Sequence, residues 1–212
     1  MSKKHSLVRP NPWHGVELYT SDKKDEVTAY IEIVPTDRVK YELDKDSGFM
    51  KVDRPQKFSN IIPCLYGLLP KTYSSKKSAA YAISKTGRED LYGDEDPIDI
   101  CVLTDEPITH GDILVDCKII GGFRMLDHGE VDDKIIAVLK DDSTFGDMND
   151  VADCPEKILN KVKHYFLTYK EIPFEGYKPK VEITHLYNKQ EALEIIECGI
   201  QDYNEEVAPN LQ

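Results

Sequence analysis

An acidic cluster precedes a short apolar run, and residues 93–100 read Gly-Asp-Glu-Asp-Pro-Ile-Asp-Ile. Extended backbone would place Asp94 and Asp96 on one side, and Pro97 adds a step before Asp99. Carboxylates that converge repel one another, so the folded chain must supply cations, protons or basic partners. Oxygen ligands of this kind favour Mg2+ or Mn2+. A solvated acidic turn is the alternative, and these residues alone do not decide between the two.

A second acidic cluster, at 127–134, reads Asp-His-Gly-Glu-Val-Asp-Asp-Lys and by itself is typical of a hairpin turn. Basic and phenolic side chains recur in predicted strands or at a helix end: Lys40, Arg54, Lys134, Tyr169 and Lys170. Taken singly, each could be an ordinary solvated residue. Together, carboxylates for metal ions and basic groups for phosphate oxygens are the ingredients of metal-assisted phosphoryl transfer to water.

Short apolar strands must position these groups. The patterns predict strands at 27–34, 40–43, 49–54, 97–103, 112–120, 123–126 and 134–139, with a bulge or corner at Gly121-Gly122. In the first strand, alternation places Ile31 and Ile33 on one face and Glu32 among apolar neighbours on the other. Several strands are apolar on both faces, which favours an α+β, mainly β fold: a small closed OB-like β-barrel with two or more helices packed outside.

Two helices are predicted after the strands. Pro155 opens the first, whose apolar residues recur at helical spacing as far as Tyr169. Asn188 and Glu191 resemble a capping box at the start of the second. Residues 71–93 show little periodicity and are predicted to be an inserted surface loop, whereas 1–25 are predicted to be an N-terminal arm packed on the domain.

Length and charge limit the possible functions. The 212 residues suit a single domain, 1–212, with a stable core, and the net charge of -12 disfavours binding to nucleic acid. The five cysteines are odd in number and lack C-x-x-C spacing, which favours free thiols in a reducing cytoplasm. The sequence shows neither an export signal nor a long apolar stretch, so we expect no membrane partner.

From Val27 to about Lys170 the sequence resembles the family I soluble inorganic pyrophosphatases. The matching segments follow in the same order and at compatible spacings, at 31–33, 40–42, 52–54, 63–67, 94–100, 127–134 and 164–170. As a set they are highly specific. Two positions depart from the family pattern: Glu95 stands where a small residue is usual, and His128 where an acidic residue is common.

The resemblance implies Mg2+-dependent hydrolysis of pyrophosphate to two phosphates by a metal-activated water, with several Mg2+ ions per site and Mn2+ as the other possible ion. Asp96 would accept the proton of that water. The metal ions would be held or oriented by Asp94, Asp99, Asp127, Asp132, Glu32 and Glu42. The phosphoryl groups would be bound by Lys40, Arg54, Tyr66, Lys134, Tyr169 and Lys170. The resemblance also implies a homo-oligomer, with a hexamer favoured over a dimer.

Two other functions remain open at this stage. The chain could be a metal-dependent phosphohydrolase that acts on nucleotides, although no purine-stacking pocket is evident in the sequence. It could also be a non-catalytic OB-like barrel that binds a ligand on its open face. The net charge and the lack of a basic, aromatic-rich face weaken that alternative.

Overall fold

The structure is a computed structural model that describes residues 9–170 and 180–211. Its strands are β1 (Glu26–Ile33), β2 (Val39–Leu43), β3 (Met50–Pro55), β4 (Leu65–Leu68), β5 (Tyr92–Gly93), β6 (Asp99–Leu103), β7 (Ile113–Asp127), β8 (Glu130–Val131), β9 (Lys134–Leu139) and β10 (Val181–Asn188). Its α-helices are α1 (Lys76–Thr86), α2 (Glu156–Thr168) and α3 (Lys189–Asp202). The predicted α+β, mainly β class is confirmed. Across these residues, no helix combines the length and the apolar character that a membrane crossing requires.

Strand β7 lies at the centre of the main sheet. The strand order is β1-β4-β6-β9-β7-β8-β5, with β10 added on β7 and a further pairing between β1 and β7. The sequence predicts two strands here, 112–120 and 123–126, but the structure has one continuous strand of 15 residues. The predicted bulge is confirmed, because the register against β9 shifts between Ile119 and Gly121. The chain passes through the irregularity without leaving the sheet.

A second bulge corrects the reading of β1. Alternation predicts that Ile31 and Ile33 share a face, but the register against β4 shifts between these two residues. Ile31 therefore packs in one apolar cluster, together with Leu65 and Ile100, and Ile33 packs in another. The extra residue lets β1 contribute to the two cores that lie on opposite sides of the sheet.

The predicted hairpin is confirmed as a separate two-stranded sheet of β2 and β3. Lys40 and Glu42 project from the same face of β2, as expected, and their side chains form an ion pair. Gly48 in the turn has φ +72°, a conformation that glycine adopts without strain.

The prediction of a loop at 71–93 is wrong, because this stretch contains helix α1 and the short strand β5. Asp202, at the end of α3, accepts hydrogen bonds from the backbone N–H groups of Ser75, Lys77 and Ser78. A carboxylate more than a hundred residues away thus caps the helix, which no local pattern could indicate. At the other end Gly87, with φ +69°, closes the helix through its N–H to Ile83.

The two predicted helices are confirmed. In α2, after Pro155, the side chains of Leu159, Val162 and Phe166 are buried. Asn188 caps α3 by accepting from the Glu191 N–H at 3.0 Å. The Glu191 carboxylate instead contacts His185 and Arg124, so the reciprocal half of the capping box is replaced. Strand β10, which precedes α3, is absent from the predicted elements.

The described part of the N-terminal arm, 9–25, packs as predicted, whereas residues 1–8 lie outside the described residues. Trp13 is 6% exposed and joins an apolar cluster with Tyr30, Leu68 and Tyr203. Its indole N–H donates to the Thr72 carbonyl at 2.8 Å. The arm thereby covers the start of the segment that leads into α1.

Candidate active site

One open cavity of about 200 Å³ collects most of the predicted site residues. It lies between the β2–β3 hairpin, the ends of β4 and β6, the β7–β9 connection and the end of α2. Its walls include the predicted residues Glu32, Lys40, Glu42, Tyr66, Asp94, Asp96, Asp99, Asp127, Asp132, Tyr169 and Lys170. Two predicted residues, Lys134 and Arg54, lie just outside this lining.

The acidic segment at 94–96 is fixed by the chain that leads into α1. The Ser74 N–H donates to the Asp96 carbonyl at 2.8 Å, and the Glu95 N–H donates to the Ser74 carbonyl at 3.0 Å. Glu95, the departure from the family pattern, has φ +59° and so adopts a left-handed conformation at this turn. Residues 71–93, predicted to be a surface loop, therefore help to place this acidic segment.

Asp94, Asp99 and Asp132 form the acidic wall of the cavity. Burial, followed by the charges of Asp132 and Asp99, raises the pKa of Asp94 to about 9. Burial also raises the pKa of Asp99, although Lys134 works against the shift. The unusual pKa values indicate a concentration of negative charge that attracts protons or cations.

Lys134 is a buried cation that partly neutralises the charge of this wall. Its side chain is 2% exposed and donates to Asp99 Oδ2 at 2.5 Å and to Asp132. Burial opposes its charge, but Asp132 and Asp99 outweigh that effect and raise the pKa of Lys134. The ammonium group therefore remains charged and ties β6 to the segment before β9.

Glu32 and Tyr66 lie beside the acidic wall, and hydrogen bonds hold both side chains in place. Glu32 Oε1 accepts from the Leu43 N–H at 2.6 Å, and burial raises the pKa of Glu32 to about 8. The Tyr66 hydroxyl donates to Asp99 Oδ2 at 2.6 Å, which fixes one carboxylate oxygen of Asp99. Both contacts orient side chains that a sequence pattern could only place on a strand.

The opposite side of the cavity is cationic. Lys170 forms an ion pair with Asp127, whose other oxygen is 2.6 Å from His128 Nδ1. Burial works against ionisation of Asp127, but Lys170 and His128 outweigh it and lower the pKa of this carboxyl group. Arg54 lies in an adjoining cleft that also contains Lys40 and Lys170, with its guanidinium 5.8 Å from the centre of the Tyr169 ring.

The cavity also contains residues that the sequence interpretation missed, Lys45 and Glu130. Lys45 belongs to the turn between β2 and β3 and forms an ion pair with Asp96. The sequence predicts a turn here, and no periodicity marks its lysine as functional. Glu130 stands within the second acidic cluster, where the resemblance assigned no role to it.

The donor set fits hard divalent cations. In residues 9–170 and 180–211, no group of three or more His, Cys, Asp or Glu side chains converges tightly enough to hold an ion as it stands. Lys134 lies between Asp99 and Asp132, which accounts for their present arrangement. The donors around it are carboxylate oxygens, the ligands that Mg2+ and Mn2+ prefer, and the raised pKa of Asp94 shows that further positive charge would be favourable there.

Comparison with known proteins identifies the family. The family model described as inorganic pyrophosphatase matches residues 29–204. An inorganic pyrophosphatase of Chlamydia caviae is 52% identical over 206 residues, which cover 96% of this chain and 95% of that relative. Soluble inorganic pyrophosphatase 4 of Arabidopsis thaliana is 31% identical over 211 residues, 100% of this chain and 87% of that protein.

Solved structures show the same likeness. The crystal structure of inorganic pyrophosphatase from Thermus thermophilus aligns with a TM-score of 0.73 and 27% identity, and covers 92% of this chain and 99% of the other. The inorganic pyrophosphatase of Helicobacter pylori aligns with a TM-score of 0.71 and 31% identity, over 89% and 98%. The chain belongs to the inorganic pyrophosphatase family. It is an inorganic diphosphatase, which hydrolyses pyrophosphate, and its family needs divalent metal ions.

Proposed function

We propose that this chain hydrolyses pyrophosphate at the cavity between the hairpin and the end of α2, with Mg2+ as the divalent ion. One observation carries the proposal: the acidic wall of Asp94, Asp99 and Asp132 faces Lys40 and Lys170 across a single cavity. Such an arrangement can bind a polyanion and cations together, which neither wall could do alone.

The metal ions belong on the acidic wall. Asp94, Asp99 and Asp132 would hold a first Mg2+, with Asp99 shared with a second. Asp127 with Asp132 would hold a further ion, and Glu32 and Glu42 would orient ions and waters or hold another. Mn2+ is a possible substitute because it takes the same oxygen ligands. Bound divalent ions supply Lewis acidity and neutralise the charge of the substrate.

The chain's own residues supply orientation and proton transfer. Asp96 is the proton acceptor, and its half-exposed carboxylate beside Lys45 supports a base that reaches the cavity water. Lys40, Arg54, Tyr66, Lys134, Tyr169 and Lys170 bind the phosphoryl oxygens. Lys170 and Arg54, near the open cleft, are suited to stabilise the leaving phosphate, since charged donors to phosphate oxygens are stronger than neutral ones.

Three broader features are part of the same proposal. Residues 1–212 form a single domain whose sheet closes into an OB-like barrel, which the additional β1–β7 pairing supports. The protein acts in the cytoplasm, which free buried cysteines support. It assembles as a homo-oligomer, a hexamer in preference to a dimer, which exposed apolar side chains such as Phe49 and Leu114 support.

Phosphate release from pyrophosphate and from ATP, with Mg2+ and with chelator, tests the proposal. We expect rapid release from pyrophosphate with Mg2+, loss of that activity in chelator, and recovery when Mg2+ is returned. ATP should be a poor substrate because neither tyrosine of the cavity is free to stack on a base: the Tyr66 hydroxyl is bound to Asp99, and the Tyr169 ring already stacks on Tyr165. Unchanged turnover in chelator would exclude the metal roles, and equal rates on ATP would favour the nucleotide alternative.

A further inference from the structure

A buried arginine lies directly behind the acidic wall. Arg124, in β7, is 0% exposed, and its Nε donates to Asp133 Oδ1 at 2.8 Å. Its Nη2 is 3.5 Å from Glu191 Oε1, too far and too poorly aligned for a full hydrogen bond. Within the described residues, Nη1 and Nη2 have no hydrogen-bond partner. A buried guanidinium with so few partners is costly, so its retention points to a task beyond packing.

The partner of Arg124 separates two residues of the site. Asp132 and Lys134 project into the acidic wall, and Asp133 lies between them with its carboxylate directed into the interior. Successive side chains of an extended segment point to opposite sides, so the contact with Arg124 anchors this segment from behind. A shift of Asp133 would move both neighbours, because they share its two peptide units.

Asp133 also faces the acidic wall through the interior. A very small cavity of about 10 Å³, behind the main one, is lined by Asp133 together with Asp94 and Asp99. Without a cation, Asp133 would add a further negative charge to a wall that already contains three carboxylates. The guanidinium holds that charge on the far side of the segment.

Arg124 is itself held by contacts from two helices and a strand. Its guanidinium carbon lies 5.6 Å from the ring centre of Tyr81 in α1 and 5.8 Å from that of Tyr187 in β10. With Glu191 in α3, these rings hold the group from three elements. We propose that Arg124 is a positioning residue that, through Asp133, holds Asp132 and Lys134 in the geometry that binds divalent metal and substrate. This inference rests on the metal roles proposed above.

Calorimetric titration of the full-length protein with Mg2+, without substrate, tests the inference. Arg124→Met should weaken Mg2+ affinity about 10-fold, the lower end of the effect seen when a group that orients a metal ligand is removed. It should also lower kcat and raise the Mg2+ concentration needed for half-maximal rate. Arg124→Lys keeps the charge but cannot reach Asp133 and Glu191 together, so we expect a smaller loss of affinity in the same direction.

Two control variants separate positioning from general loosening. Arg88→Met removes a partly exposed arginine that pairs with Glu182, and Asp142→Asn weakens a buried hydrogen-bonded carboxylate outside the cavity. Both should bind Mg2+ like the wild type, even though Asp142→Asn lowers the melting temperature. A loss of affinity in Asp142→Asn equal to that in Arg124→Met would overturn the inference.

The wild-type titration separates the role of Arg124 from the proposed metal roles on which that role rests. If the wild type binds no Mg2+, both are overturned. If the wild type binds Mg2+ and folded Arg124→Met binds it equally well, only the role of Arg124 is overturned. Should Arg124→Met fail to fold, wild-type affinity in Arg124→Lys would overturn it instead.

Discussion

Asp96 and Asp99 are three residues apart, yet the structure gives their side chains different surroundings. Asp99 accepts hydrogen bonds from Tyr66 and Lys134 within the acidic wall, whereas Asp96 pairs with Lys45 at the half-exposed rim. We expect Asp99→Ala to weaken Mg2+ affinity, with part of the lost rate recovered at high Mg2+. Asp96→Asn should bind Mg2+ nearly normally, while its rate falls by roughly 10^2 to 10^4 at every Mg2+ concentration.

Calorimetry and steady-state rates on both variants check this division of roles. Asparagine retains the shape of Asp96 and loses the proton acceptor, so it also serves as the control for side-chain volume. Full rescue of Asp96→Asn by excess Mg2+, or normal Mg2+ binding by Asp99→Ala, would show that the two roles are reversed or that neither residue acts as proposed.

At this scale the resemblance named residues that the structure brings together, because its motifs contain the carboxylates and basic groups themselves. The cavity brings together the predicted carboxylates, Lys40, Lys170 and both tyrosines, and Arg54 lies in the adjoining cleft. Lys45 and Arg124 were missed for different reasons. Lys45 stands in a polar turn without any periodic pattern, and the role of Arg124 depends on burial against elements distant in sequence.

At the scale of elements, the contact between α3 and α1 is open to a direct test. Asp202 is 1% exposed and accepts from three backbone N–H groups and from the Ser78 hydroxyl. We expect Asp202→Ala to lower the free energy of unfolding by about 3 kcal/mol, because it leaves buried donors unpaired. Urea denaturation measures the loss.

Asp202→Asn is the matched control, since its amide oxygen can still accept some of these bonds and its loss should be smaller. A stability loss for Asp202→Ala no greater than that of an ordinary surface substitution would contradict the capping role. Ser74, just before α1, bonds to the 94–96 segment, so loosening the start of the helix should disturb this segment. The alanine variant should therefore lose activity at a lower temperature than the wild type does.

The loop after β9 offers a test by pH. Asp142 accepts from the backbone N–H groups of Thr144 and Phe145 and from the Thr104 hydroxyl. Burial opposes its charge, but these donors outweigh burial and lower the pKa of Asp142. The folded state therefore holds fewer protons than the unfolded state just below the usual aspartate pKa, so this contribution is complete at neutral pH and declines as acidity increases.

We expect Asp142→Asn to cost about 2 kcal/mol at pH 7 and less near pH 3, because the charge-assisted bonds it removes are fully present only when the carboxylate is ionised. Urea denaturation of the wild type and the variant at both pH values gives the difference. A difference that grows as the pH falls would have the wrong sign and would reject the explanation.

Strands and helices were predicted correctly where residues nearby in the sequence determine them. The strands with long apolar runs and α2 with its regular spacing follow from local chemistry, and so does the Asn188 cap. Helix α1 does not, because its sequence has weak periodicity and its cap comes from Asp202. The β1 bulge was also beyond prediction, since the shift arises from pairing with β4 rather than from the β1 sequence.

At the scale of the whole molecule, the proposed assembly predicts a mass. Several large apolar side chains are exposed on the single chain, including Phe49 at 69%, Val52 at 56% and Leu114 at 52%. Burying such groups between copies would be favourable by the hydrophobic effect. We expect light scattering to give six times the mass of one chain for the hexamer, whereas a dimer would give twice the mass of one chain. A single-chain mass over a wide concentration range would refute the assembly.

The long central strand constrains the order in which the fold can be completed during synthesis. β7 pairs with β1, which precedes it by some ninety residues, and with β10, which follows it by about sixty. The start of α1 is capped by Asp202, at the end of α3. A nascent chain on the ribosome therefore exposes unpaired edges of β7 until β10 has emerged, and contacts so distant in sequence favour slow folding. The segment that carries Asp94 and Asp96 is fully set in place after α3 has been made, because Asp202 fixes the start of α1 and Ser74, just before that helix, bonds to this segment.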